Sequence, residues 1–312
     1  MGVPRRSVPL AVVVLTALLV AGCGGDGDGG DDTGGAGAPT TPTTPTTPTT
    51  PVEDEPVVEG PTNEVAITAR DYSFDMPATF DGGLTTLTFT NAGSEPHLAV
   101  FAAIAPGTTF DEVTAAVTAP PSPEPPTGPP PFTELAAFPT AAPGVDGTIT
   151  LNLPAGDYAV FCPIPSPDGT SHAAKGMVSE VAVAEGIDGE LPASVGTVEA
   201  VDFAFANVPA LEAGTNVVRL SNRGRQIHEI NLVELGPDTT IDEVVAWVGQ
   251  PEGPPPMRFL SGVAINPGAE ATTELELERG SKYALVCVIP DFLGDFQPHA
   301  TKGMFTTPVV IN

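Results

Sequence analysis

Four histidines occur in the chain, and they fall into two matched sets that each include one cysteine and one methionine. The first set is His97, Cys162, His172 and Met177; the second is His228, Cys287, His299 and Met304. Two imidazoles, a thiolate and a weak thioether together select copper and favour neither oxidation state strongly, which is the donor set of a type 1 (blue) site. In each set a mid-domain histidine stands far upstream of a compact Cys…His-x4-Met group. Since every histidine is used, the simplest reading is up to two copper ions, one per set, and none to spare for another centre.

Such donors must be brought together by a duplicated framework. Asp71-Tyr72-Ser73-Phe74 matches Asp202-Phe203-Ala204-Phe205 at an offset of 131, and His97 and His228 keep that offset. Cys162 and Cys287 match at 125, and His172 to Met177 matches His299 to Met304 at 127. Units this long are repeated domains, not solenoid repeats. Residues 62–186 and 195–312 are therefore read as two domains.

Alternating runs predict strands at Thr85–Thr90, Leu98–Phe101, Thr148–Leu153, Tyr158–Cys162 and Val178–Val183. The second copy repeats them at Asn216–Leu220, Glu229–Val233, Thr272–Leu277, Tyr283–Cys287 and Met304–Val310. Thr109/Glu112 and Thr240/Glu243 are capping boxes, each predicting one short helix. The fold class is thus all-β: two tandem Greek-key sandwiches with one short helix apiece.

The strand ending in Cys, the loop carrying His and then Met, and the separate upstream His resemble the cupredoxin family over both domains. The resemblance implies that His97, His172 and Cys162 form a trigonal plane with Met177 axial, and that His228, His299, Cys287 and Met304 do the same. The chain departs from the small cupredoxins in two ways. Nine residues separate Cys162 from His172, and eleven separate Cys287 from His299. Leu98 and Glu229 follow the first histidines, where an Asn is usual in that family. The acids of the long loops, Asp168, Asp291 and Asp295, are candidates to hydrogen-bond a ligand or to face water. Lys175 and Lys302 are read as solvated, Trp247 as core, and the Gly-Pro-Pro-Pro segments as rigid connectors. A disulfide is the default for exported cysteines, but equivalent positions in separate domains argue against a Cys162–Cys287 bridge.

The N-terminus sets the compartment. Arg5 and Arg6 precede a short apolar run, Val8–Val20, ending in Val20-Ala21-Gly22-Cys23. Residues 1–22 are read as a lipoprotein signal peptide, with Cys23 as the lipidated residue of a chain anchored to the extracytoplasmic face of a bacterial membrane. Residues 23–61, Gly/Asp-rich and then Thr/Pro-rich, are read as a disordered tether with a reach on the order of 100 Å. With 39 acidic against 11 basic residues and a net charge of -28, nucleic acid is excluded as a partner.

The function expected is one-electron transfer to or from a redox partner protein near the membrane, without enzymatic activity, because no histidine remains for a type 2 or type 3 copper centre. Copper storage, delivery or resistance is the alternative, and a metal-free binding scaffold is a further one.

Overall fold

The computed structural model describes residues 63–120, 130–135 and 138–312. The leader, Cys23, the tether and the first Gly128-Pro129 lie outside these residues. The first repeat contributes β1 (Asn63–Arg70), β2 (Ser73–Asp75), β3 (Thr79–Asn91), β4 (His97–Leu98), β5 (Val100–Ile104), β6 (Phe132–Leu135), β7 (Phe138–Ala141), β8 (Asp146–Leu153), β9 (Gly156–Phe161) and β10 (Val178–Ile187). The second contributes β11 (Gly196–Val201), β12 (Ala204–Ala206), β13 (Gly214–Asn222), β14 (His228–Leu235), β15 (Met257–Ile265), β16 (Glu270–Leu277), β17 (Lys282–Val286) and β18 (Val309–Val310). Two short helices, α1 (Phe110–Thr118) and α2 (Ile241–Gly249), complete an all-β architecture.

Alternation places one side of each strand inward. Val65, Ile67, Leu87, Phe89, Ile149 and Leu151 of β1, β3 and β8 face Phe101, Tyr158, Val160 and Val181 of the opposing layer within one core. Each such side chain contributes about 1.5–3 kcal/mol when fully buried. The layers are joined by β3, whose first residues pair with β10 (Thr79↔Ala182) and whose later ones pair with β1 and β8 (Leu87↔Val65, Leu87↔Ile149). The second repeat has the same layers, β12-β11-β13-β16 and β18-β17-β14-β15, making a cupredoxin-like sandwich.

The repeats share their sheets. β7 pairs with β4 of its own repeat (His97↔Ala141) and with β15 of the other (Ala141↔Ser261). On the other layer, β8 meets β16 at Thr150↔Thr272, where Thr273 Oγ1 donates to Thr148 O at 2.7 Å. A single hydrogen-bonded sheet, β18-β17-β14-β15-β7-β4, therefore carries both His97 and His228.

Both capping boxes form as expected. Glu112 N donates to Thr109 Oγ1 while Thr109 N donates to Glu112 Oε2, and Thr240 and Glu243 repeat the exchange. Val113 and Val117, and Val244 and Val248, lie one turn apart and pin the helices to their repeats.

Two strand expectations are corrected. Leu98–Phe101 is not one strand: β4 and β5 break between Leu98 and Val100, with β4 in one sheet and β5 in the other. After Met304, only Phe305 bridges to Val286 before the strand pair Val309–Val310. Pro308 has no N–H to give a ladder, and Thr306 substitutes its hydroxyl, accepting from Leu285 N at 2.9 Å.

Candidate metal centres

In the first repeat, pairing with β7 fixes His97, and Cys162 directly follows β9. A closed circuit of backbone hydrogen bonds then delivers the remaining donors. His172 N donates to Ile164 O, Ala173 N to Cys162 O, Met177 N to His172 O, and Cys162 N to Met177 O, at 2.8–3.2 Å. The turn from His172 to Met177 needs Gly176 at φ 109°, in the left-handed region open to glycine. The second repeat duplicates the circuit at Ile289, Cys287, His299 and Met304, with Gly303 at φ 112°.

In each repeat the two imidazoles and the thiol come together. His97 Nδ1 and His172 Nδ1 stand 3.0 Å apart, and Cys162 Sγ lies 3.5 Å from His172 Nδ1. The corresponding distances in the second repeat are 3.1 Å and 3.4 Å. Three ligands roughly 2.0–2.3 Å from a common ion in a trigonal plane would stand about 3.5 Å apart, so the donors fit one ion with little movement. All six of these residues are 0% exposed, as are Met177 and Met304. Each His/Cys/His group could thus hold one metal ion, and its donor chemistry is that of copper.

Electrostatics agree with a cation site. Burial pushes the Cys162 thiol up to about 12 and drives Cys287 well above its ordinary value. Burial lowers His97 and His228, and burial with the neighbouring His228 brings His299 down to about 4. His97, His228 and His299 are consequently held neutral and ready to ligate, whereas each thiol needs a bound cation to become a thiolate.

The far side of each first histidine is held by an acid that the sequence reading passed over. Asp71 Oδ1 lies 3.1 Å from His97 Nε2, and Asp202 Oδ1 lies 3.2 Å from His228 Nε2. Bonds from Ser94 hold the Asp71 carboxyl far below the usual carboxylate range. A glycine lies against each pair. A Cβ at Gly93 would come within 2.6 Å of His97 Nε2, and one at Gly224 within 2.6 Å of Asp202 Oδ1. The sequence signal of these acids is the Asp-x-x-Phe match at offset 131.

The loop acids lie elsewhere. Asp168 pairs with Lys175 at 3.0 Å, and Asp291 and Asp295 both pair with Lys302. The two lysines are accordingly not simply solvated. Lys175 Nζ sits 4.6 Å above the Tyr72 ring and Lys302 Nζ 4.9 Å above that of Phe203, where ion pairing and cation–π attraction compete with water. Cys162 and Cys287 are buried free thiols. Trp247 packs half-buried beside Val244 and Val248, with its indole N–H on Gly253 O.

No family model matches the chain. No curated protein matches it either. Among solved structures, the chain is similar to dithionite-reduced auracyanin from Roseiflexus castenholzii, at 25% identity over 39% of this chain and 96% of that one, with a TM-score of 0.24. It is also similar to the blue copper protein auracyanin A from Chloroflexus aurantiacus, at 17% identity over 39% and 99% with a TM-score of 0.27. A copper-containing nitrite reductase from Thermus scotoductus is similar at 12% identity over 72% and 58%, with a TM-score of 0.24. With superpositions this partial, these likenesses add nothing to what the donors themselves establish.

Proposed function

We propose that the chain is a one-electron carrier with a type 1 copper ion in each repeat, at His97, Cys162, His172 and Met177 and at His228, Cys287, His299 and Met304. The observation that carries this reading is the convergence, twice over, of two Nδ1 atoms and a thiol in a site with no exposed donor. Bound copper would supply a Cu(I)/Cu(II) couple. The protein's part is to hold the first imidazole of each repeat by a carboxylate and the second by its backbone circuit, so that either oxidation state meets the same geometry. Burial keeps small molecules off the metal, which suits electron exchange better than substrate turnover. The count of four histidines, all used, points the same way.

The carrier works outside the cytoplasm, tethered by lipid on Cys23, and exchanges electrons with a redox protein near the membrane. Among the described residues no helix is long and apolar enough to cross a bilayer, so in this reading the lipid is the anchor. Adding Cu(II) to residues 24–312 tests the copper centres. An intense blue band with narrow copper hyperfine splitting, abolished by Cys162→Ser with Cys287→Ser, supports the reading. A pale complex with an ordinary Cu(II) spectrum sinks it. Globomycin-sensitive processing and loss of membrane association in Cys23→Ala test the anchor.

A further inference from the structure

The two centres share donors but not surroundings. In the first repeat, His172 Nε2 lies 2.9 Å from Glu95 Oε2, and Glu95 Oε1 accepts the Tyr72 hydroxyl at 3.0 Å. At the equivalent positions of the second repeat stand Gln226 and Phe203. Gln226 turns away, donating from Nε2 to Asp291 Oδ1 at 2.9 Å, and His299 Nε2 is buried without a hydrogen-bond partner among the described residues. The aromatic residue is otherwise placed alike. Tyr72 and Phe203 both hold a left-handed backbone, at φ 69° and 66°. Both set a ring edge-on to the second histidine, with centroids 5.4 Å and 5.2 Å apart. The difference is therefore one of charge and hydrogen bonding at a fixed geometry.

With Nδ1 on the metal, the imidazole proton resides on Nε2. A carboxylate accepting that proton's hydrogen bond pulls the ring toward imidazolate and makes it a stronger donor, which favours the more highly charged metal ion. A buried imidazole whose N–H has no acceptor gains no such added donor strength and favours the lower charge. The histidines from the other strand reinforce the contrast. Asp71 behind His97 is held by the Ser94 hydroxyl, whereas Asp202 behind His228 is ion-paired with Arg225 at 3.0 Å and is thereby partly neutralised. Asp291, the extra acid of the second repeat, is closed off by Lys302 and Gln226. One group opposes the trend: the buried Glu229 carboxyl accepts Val288 N–H beside Cys287, where the first repeat has Leu98.

We infer that the first centre has the lower reduction potential and the second the higher, with Glu95 and its replacement by Gln226 as the positioning residues that separate them. Electrons entering the chain collect at the second repeat. With copper bound at both sites, an electron passing between them would leave Cu(II) at the first and Cu(I) at the second, with no proton or co-reactant.

This inference rests on the type 1 copper reading, and one experiment separates the two. Cys287→Ser leaves only the first centre and Cys162→Ser only the second, and each protein's blue band is titrated against potential with narrow hyperfine splitting as a check on geometry. The second centre is expected to favour reduction at least tenfold more than the first, about 59 mV for one electron. Glu95→Gln in the first-centre protein should raise its midpoint by a similar factor, and Gln226→Glu should lower that of the second. Glu229→Leu should raise the second centre further and widen the gap. Equal midpoints, or a first-centre midpoint unmoved by Glu95→Gln with intact geometry, overturn the inference. If Glu95→Gln fails to fold, the Gln226→Glu shift decides alone. Colourless single-centre proteins overturn the copper reading, and this inference with it.

Discussion

Glu229 offers a quantitative test of how the second repeat holds a carboxyl in its core. The side chain is 8% exposed and accepts Val288 N–H at 2.7 Å. Burial pushes its pKa up to about 7 from an ordinary 4.5. Because the folded value is raised, the folded carboxyl carries no penalty below pH 4.5, where both states hold the proton. Between 4.5 and 7 the unfolded chain releases a proton that the folded chain keeps, so stability falls as pH rises, and the loss is complete above 7. A shift of about 2.5 units at ~1.4 kcal/mol per unit makes that loss about 3 kcal/mol. Glu229→Gln keeps an oxygen for Val288 N–H and removes the ionisation. In urea unfolding of the metal-free protein, the variant should match the parent within about 1 kcal/mol at pH 5. At pH 8.5 it should be about 3 kcal/mol more stable. A gain of equal size at both pH values, or a loss that does not change with pH, would refute the buried-carboxyl account.

Other expectations concern the same framework. Asp71→Ala removes the partner of His97 Nε2 and should weaken copper binding at the first centre about 10–100-fold while sparing the second, as measured by competition with a chelator. Thr240→Ala breaks the capping box of α2 and should cost about 1 kcal/mol in thermal or urea unfolding. In the metal-free Glu229→Gln protein, where the opposing carboxyl titration is removed, stability should fall on acidification from pH 6.5 to 4. His299 has its folded pKa depressed to about 4, so its unfolded form gains a proton first. The stability present above 6.5 is lost as pH falls through that window, and His299→Phe should flatten the slope of midpoint against pH.

Much of this organisation was legible in the sequence because it is periodic or repeated. Alternation gave most strands of the sandwich, and two Thr-x-x-Glu boxes gave both helices. The repeat brought six scattered residues together as two His/Cys/His groups. What failed to show was non-local. That β7 would serve both β4 and β15 depends on how the repeats pack, and no local pattern in Phe138–Ala141 announces it. Asp71 and Asp202 were visible as a match but not as partners of His97 and His228, since contact across 26 residues is set by the turn after β3 and β13. Glu95 carried no signal, because its counterpart is Gln226 and a mismatch between repeats reads as drift.

The unequal loops show why the centres survive divergence. The stretch from cysteine to histidine differs by two residues between repeats, which would displace the histidine by several ångströms if the loop were an extended strap. Instead each loop is pinched at its base, by the bridge Pro165↔Ser171 in one repeat and Pro290↔Pro298 in the other. Above the pinch, Ser166 N donates to Thr170 O, four residues on, and Asp291 N to Gln297 O, six residues on. The two extra residues are thus taken up entirely in the tip. Below it, the bonds from His172 to Ile164 and from His299 to Ile289 have the same length, 2.8 Å. Loop length is consequently decoupled from donor placement, and variation at the tip can alter what surrounds the second histidine without moving it. Asp291 illustrates this: it sits at the start of the longer tip and draws Gln226 away from His299 Nε2, so selection can act on the surroundings of one centre while the donor geometry of both stays fixed.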